Sequence, residues 1–164
     1  MTFLTDFDIR YSEMEDLPTL QKWFQKESAC DAFPFGPDEA EESLKNWIGF
    51  SKYKAGLTGT LQGEIVAIGT LFLMPYKKVA HHSSFYLIVA EEQRRKGIGE
   101  SMVKNLLHLA KTRFRLEAVH VEIFEPSPFL SLLKKMGFEL LARQENFTHL
   151  NGEKHSRIIM GRHL

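Results

Sequence analysis

The chain has 164 residues, of which 21 are basic and 21 acidic, so its formal charge is zero; 43% of residues are hydrophobic and 12% aromatic. That length fits a single domain over 1–164 with room for a sizeable core, and the balanced charge excludes a global field that would recruit nucleic acid or an anionic membrane. The one cysteine, Cys30, excludes an intrachain disulfide and fits a reducing, cytoplasmic compartment.

In chain order, the opening stretch Met1–Asp6 lacks the positive segment and apolar core of a signal peptide, and no apolar run approaches the ~18 residues that span a bilayer. Asp8–Tyr11 reads as a first strand. Glu15-Asp16-Leu17-Pro18 starts a helix, with acids and a proline in its first turn and Leu17, Leu20 and Phe24 as its buried stripe. Cys30 to Gly36 reads as a loop because Pro34 and Gly36 break regularity. Pro37-Asp38-Glu39 opens a second helix with Ala40, Leu44, Trp47 and Ile48 on its apolar side. A hairpin follows, Gly56–Leu61 and Ile65–Met74 about Gln62-Gly63. Residues 84–90 are a continuous β-favouring run. Beyond them Ile98, Met102, Leu106, Leu109 and Phe114 recur at helical spacing from about Gly97 to Arg113. Ala118–Phe124 alternates as a strand, Phe129–Met136 is a short helix ended by Gly137, and Phe138–Leu141 and Arg157–Met160 are last strands joined through Asn151-Gly152. The order β-α-α-β-β-β-α-β-α-β-β specifies a mixed α/β fold and disfavours a helical bundle or an all-β barrel.

The segment Arg94-Arg95-Lys96-Gly97-Ile98-Gly99-Glu100 lies where the run at 84–90 turns into the long helix. Free N–H groups and the positive end of a helix dipole receive an anion there, and three consecutive cations strengthen the reading; phosphate is the expected guest. A P-loop is excluded by the missing Gly-Lys-Ser/Thr run, and a dinucleotide fingerprint by Met102 at the third glycine position. What stands, Leu87-x-Val89 followed by Arg94-x-x-Gly97-x-Gly99, resembles the acyl-CoA-binding motif of the GCN5-related N-acetyltransferase (GNAT) family. Lys135-Met136-Gly137-Phe138 resembles the Gly-Phe that ends a later conserved segment, and Gly152 with Ile158-Ile159-Met160 is similar to the C-terminal pattern. The resemblance covers nearly the whole chain. It implies a central mixed, mostly antiparallel sheet of about six to seven strands with about four helices.

Acetyl transfer from a thioester to an amine requires neutralised phosphates, a polarised carbonyl, a deprotonated amine and a protonated leaving thiolate. The resemblance implies that acetyl-CoA is the cosubstrate, that its pyrophosphate meets backbone N–H groups from Arg94 to Glu100, and that Arg94, Arg95 and Lys96 add charge around Gly97, Ile98 and Gly99. It implies that pantetheine pairs with the freed edge of the strand at Leu87, Ile88 and Val89, with the Val89 N–H facing the thioester carbonyl. In the family's pattern a tyrosine protonates the thiolate and an asparagine follows the strand at 117–124. These positions hold Leu133 and Pro126. Ser127, Ser131, Tyr86 and His82 are conceivable substitutes, alongside departure of the thiolate with no dedicated acid. For the base, a glutamate early in the strand before the motif aligns with Ser83. Glu122 is one alternative, with a solvent-facing strand carboxylate as its competing explanation, and His82 another. His81-His82 would point to opposite faces of a strand and makes a poor metal pair; no metal is expected.

The expected partner is an amine-bearing small molecule, peptide or protein, with a homodimer possible by family habit and neither nucleic acid nor membrane involved. The competing readings are a non-catalytic acyl-CoA-binding or sensor module and another kind of nucleotide-phosphate binder.

Overall fold

The computed structural model describes residues 5–164, so part of the N-terminal stretch Met1–Asp6 lies outside the described residues. Seven strands form one sheet in the order β1-β2-β3-β4-β5-β7-β6. They are β1 (Phe7–Tyr11), β2 (Gly56–Leu61), β3 (Glu64–Leu73), β4 (His82–Val89), β5 (Ala118–Phe124), β6 (Glu139–Leu150) and β7 (Glu153–His163). All neighbours run antiparallel except β4 and β5. The helices are α1 (Leu17–Trp23), α2 (Glu27–Cys30), α3 (Ala40–Gly49), α4 (Ile98–Thr112) and α5 (Phe129–Lys135). The two tight hairpins rest on Gln62-Gly63 and Asn151-Gly152, all four residues with positive φ, the backbone that matches the twist of flanking strands.

One apolar layer covers a face of the sheet, and a second covers the opposite face at β3 and β4. On one face Ile98, Met102 and Leu106 of α4 and Leu133 of α5 pack on alternate residues of β3, β4, β5 and β7, Phe85, Val121 and Met160 among them. On the other, Leu20 and Phe24 of α1 and Leu44 and Trp47 of α3 pack on Ile68 of β3 and Ile88 of β4. The second layer is aromatic: Phe24, Phe33, Phe72 and Tyr86 have ring centroids 5.0–5.8 Å from one another or from Trp47 in six contacts. Trp47 donates its indole N–H to the Thr70 hydroxyl at 2.9 Å, so a 1% exposed ring keeps its polar atom satisfied. At the start of the fold Asp16, 2% exposed, receives both guanidinium nitrogens of Arg10 at 2.9 and 2.8 Å and the Thr58 hydroxyl at 2.8 Å, tying β1 and β2 to the entry of α1.

Two expectations are corrected. The stretch expected to be loop from Cys30 to Gly36 begins on the last residue of α2, a four-residue helix too short to leave a periodic pattern. β6 continues to Leu150 and β7 starts at Glu153, so the last hairpin is far longer than Phe138–Leu141 and Arg157–Met160. β6 is an edge strand exposed at every position from Glu139 to Phe147, and a strand with neither face buried shows no alternation.

Candidate functional site

The site is built on the unpaired end of β4. Ala90 donates its N–H to the Val66 carbonyl at 2.8 Å, in register with Ala67 opposite Val89 and Ile68 opposite Ile88. By the alternation of an antiparallel ladder, Ile88 and Tyr86 turn their N–H and C=O groups to β3, while Phe85, Leu87 and Val89 turn theirs away. β5 accompanies β4 only through His82–Ser84, opposite Ala118–His120, and then diverges. The N–H groups of Leu87 and Val89 are therefore left without a strand partner, an edge onto which an extended ligand can pair. Ile88 does not share in this: its backbone is spent on β3 and its side chain is buried against α1 and α3.

The turn that follows carries the anion geometry. Glu91–Gln93 form a single 3-10 turn, Arg95 has φ +63°, and Gly97 caps α4 with φ +86°, a conformation L side chains rarely adopt. The first helical bond runs from Ser101 N–H to the Gly97 carbonyl at 3.1 Å, and no side chain caps the helix. The N–H groups of Ile98, Gly99 and Glu100 thus have no intrahelical acceptor. A Cβ placed on Gly97 would meet nothing within 4 Å, so the space over the turn is open, whereas one on Gly99 would lie 3.3 Å from Leu132 of α5. Gly97 serves the turn and Gly99 the packing of α5. Of the three cations, Arg94 bends back to donate its Nε–H to the Val89 carbonyl at 3.2 Å, Lys96 bonds Gln93 at 2.8 Å, and all three are exposed. Glu100 pairs with Lys135 of α5 at 2.9 Å.

Two recesses flank the strand end. A cleft of about 310 Å³ between α1, α2 and the turn is lined by Lys22, Trp23, Lys26, Val89, Glu91 and Arg94. A cavity of about 60 Å³ fills the gap between β4 and β5, lined by Phe33, Tyr86, Leu87, Glu122, Ser127 and Phe129. Glu122 is half-buried there and receives Arg157 Nη2 at 3.1 Å on Oε2. Burial, then the Glu122 charge, pushes the Tyr86 phenol up to about 12, with Arg157 pulling the other way. His120, two residues before Glu122 on the same strand face, is held below the ordinary imidazole range by burial first and by His82 second.

The structure thus gathers Tyr86, Leu87, Glu122 and Ser127 at one gap, with Val89 and Arg94 lining the neighbouring cleft before the Gly97–Glu100 turn. His82 does not join them: it opens β4 at the far end, four residues before Tyr86, a run of roughly 13 Å. His81 precedes the strand, so the two imidazoles do not point to opposite faces; their centroids are 4.1 Å apart. Leu133 is 0% exposed within the α5 layer, and Ser131 is exposed on α5 outside the cavity. Cys30 is buried, its thiol donating to the Phe24 carbonyl at 3.6 Å, and burial with the Asp31 and Glu27 charges raises its pKa, the opposite of an activated nucleophile. Among the described residues no group of three or more His, Cys, Asp or Glu side chains is placed to hold a metal, and no helix is long and apolar enough to cross a membrane. Sequence reasoning missed Arg157 and Phe147. Their pairing depends on a bulge in β6 that no local pattern announces.

Comparison with known proteins identifies the family and the fold. The family model described as the acetyltransferase (GNAT) family matches residues 17–138. The chain is 20% identical to the L-amino acid N-acetyltransferase AaaT of Escherichia coli K12, covering 97% of this chain and 99% of that protein. Its fold is similar to that of a GNAT-family acetyltransferase from Streptococcus pneumoniae, with a TM-score of 0.84 at 17% identity over 96% and 99% of the two chains. It is also similar in fold to yncA of Salmonella typhimurium, a protein described with its cofactor acetyl-CoA, with a TM-score of 0.83 at 13% identity over 97% and 94% of the two chains.

Proposed function

This chain belongs to the acetyltransferase (GNAT) family, and on that premise we propose that it transfers the acetyl group of acetyl-CoA to a primary amine held at Glu122. The observation that carries the proposal is the freed β4 edge at Leu87 and Val89, open at one end to the Gly97 turn and at the other to a cavity containing a carboxylate.

The residues present fit the cosubstrate. The unpartnered N–H groups of Ile98, Gly99 and Glu100, with the α4 dipole behind them, hold the pyrophosphate. Arg94 adds charge at its mouth, with Arg95 and Lys96 a more distant contribution. Leu87 and Val89 pair with pantetheine, and the Val89 N–H donates to the thioester oxygen, where negative charge grows as the amine attacks. The acceptor arrives as an ammonium, attracted to the Glu122 carboxylate and to the faces of Phe33 and Tyr86. Glu122 takes its proton, directly or through one water. The amine nitrogen then bonds the acetyl carbon, the C–S bond breaks with its electron pair leaving on the thiolate, and the second nitrogen proton passes to that thiolate or to water, leaving a neutral amide.

Leu133 supplies no proton to that thiolate. The Tyr86 and Ser127 hydroxyls line the same cavity and donate hydrogen bonds to it, and a phenol held at about 12 keeps its proton rather than surrendering it. The thiolate therefore leaves without a dedicated acid. For the acceptor, the similarity to a protein named as an L-amino acid N-acetyltransferase is the reason to test free L-amino acids first.

The test is coenzyme A release from acetyl-CoA with a panel of the twenty L-amino acids, their amides and simple alkylamines. Wild-type protein acetylates at least one amine, and Glu122→Gln lowers kcat/KM by about 10²-fold or more while leaving acetyl-CoA affinity unchanged. No acetylated amine from any member, or full activity in Glu122→Gln, overturns the proposal.

A further inference from the structure

Arg157 is held from three sides. Its Nη2 donates to Glu122 Oε2 at 3.1 Å, its Nη1 to Gln144 Oε1 at 2.6 Å, and its guanidinium carbon lies 4.8 Å from the Phe147 ring centre. Phe147 in turn stacks on Phe124 of β5 at 6.2 Å with an interplanar angle of 28°. A bulge in β6 makes this possible. Gln144 faces Arg157 and Thr148 faces His155, so Glu145, Asn146 and Phe147 stand opposite Ser156 alone, and Asn146 takes φ +54°. Bulges re-aim side chains beside functional sites.

The bulge is itself fastened. Ser156 donates to Glu145 Oε2 at 2.9 Å; Arg143 forks onto both oxygens of Glu125 at 3.0 and 2.9 Å and reaches Glu145 at 2.7 Å. This network joins the bulge to the end of β5. The arrangement also leaves a buried polar atom unsatisfied, since Arg157 Nε has no partner. Glu122 is likewise half used: Arg157 occupies Oε2, and Oε1 accepts no hydrogen bond among the described residues although the side chain lines the cavity.

We propose that Arg157, laid in place by the β6 bulge through Phe147, is a positioning residue that anchors Glu122 by Oε2 and presents Oε1 to the acceptor ammonium. This rests on the reading of Glu122 given above. It adds that the acceptor's affinity is set in part by a side chain the acceptor does not touch, and that a single acceptor N–H meets one carboxylate oxygen of fixed direction. Truncating Arg157 frees Glu122 to rotate away, so the acceptor term suffers and the donor term does not.

The experiment measures separate KM values for acetyl-CoA and for the best acceptor of the amine panel in Arg157→Met, Arg157→Lys, Phe147→Leu and Glu122→Gln, and in the double variant Arg157→Met/Glu122→Gln. Arg157→Met raises the acceptor KM about tenfold, the scale of one lost charge-assisted contact, with the acetyl-CoA KM within about twofold. Arg157→Lys, which keeps the charge but not the fork, recovers part of the loss. Phe147→Leu, at a 46% exposed position where folding is safe, raises the acceptor KM roughly threefold. The double variant is no worse than Glu122→Gln, because the two residues act as one unit. An acceptor KM unchanged in both Arg157→Met and Phe147→Leu, or additive losses in the double variant, overturns the positioning role while the Glu122 effect stands. Loss of neither term in Glu122→Gln overturns the underlying reading and the positioning role with it.

Discussion

β1–β4 and β5–β7–β6 belong to one sheet but are covered differently. The first group carries α4 on one face and α1 and α3 on the other, and its aromatic layer closes over Ile68 and Ile88. The second carries α4 and α5 on one face only; none of its residues joins the second apolar cluster, and the open face shows His120, Glu122, Arg157 and Ile159 at half burial. The boundary between the two regimes is where β5 leaves β4. Cohesion on the first side and chemistry on the second therefore meet along one strand edge, so that a rigid donor platform adjoins a face that an acceptor can reach.

The comparison breaks hardest from the covered side. Trp47→Ala removes a 1% exposed ring and orphans the Thr70 hydroxyl, at a cost of about 3–5 kcal/mol and a fall in melting temperature of roughly 10 °C; calorimetry showing a loss below about 1 kcal/mol would deny that the aromatic layer holds this half. Asp16→Asn comes next, at about 1–3 kcal/mol. Burial alone would raise the Asp16 carboxyl, but the Arg10 hydrogen bonds, aided by Glu13 and Thr58, leave it below the ordinary value. Its contribution is therefore present above the unfolded carboxylate pKa of about 3.9 and is lost as pH falls through the lower folded value. Melting curves from pH 6 downward should show wild type losing its margin over Asp16→Asn below about pH 4, and a constant margin would contradict the ion pair.

On the turn, Gly97→Val places a β-branched residue at φ +86°. Strain and a bulky group over the open anion site should weaken acetyl-CoA by about 10- to 100-fold in titration calorimetry, or about 1.4–2.8 kcal/mol, with a smaller stability cost. The least effect belongs to the outer edge of the sheet: Leu140→Ser, at a 59% exposed position, should change stability by no more than about 0.5 kcal/mol in denaturant unfolding.

What could be read in the sequence follows the same boundary. The run from Leu87 to Gly99 is a local pattern, and strand, turn and helix emerged where the spacing put them because each is fixed by neighbours within a few residues. The same is true of the Gln62-Gly63 and Asn151-Gly152 turns. The splay of β4 from β5 was available only through the family resemblance, since strand divergence is set by packing between distant segments. Glu122 was visible as a strand carboxylate, but the Arg157 beneath it depends on a three-residue bulge in an exposed strand, where the apolar alternation that fixes register is absent. The missing tyrosine at Leu133 was legible as a departure, and the structure gives its consequence: that position is sealed in the core.

The most direct test is calorimetric titration of acetyl-CoA into the wild-type protein, with ATP as the control ligand. The account predicts micromolar binding of acetyl-CoA and none of comparable strength for ATP, because pairing along Leu87 and Val89 adds to the phosphate contacts. Absence of acetyl-CoA binding, or equal binding of both ligands, would contradict the assignment of the β4–β5 gap as the donor site.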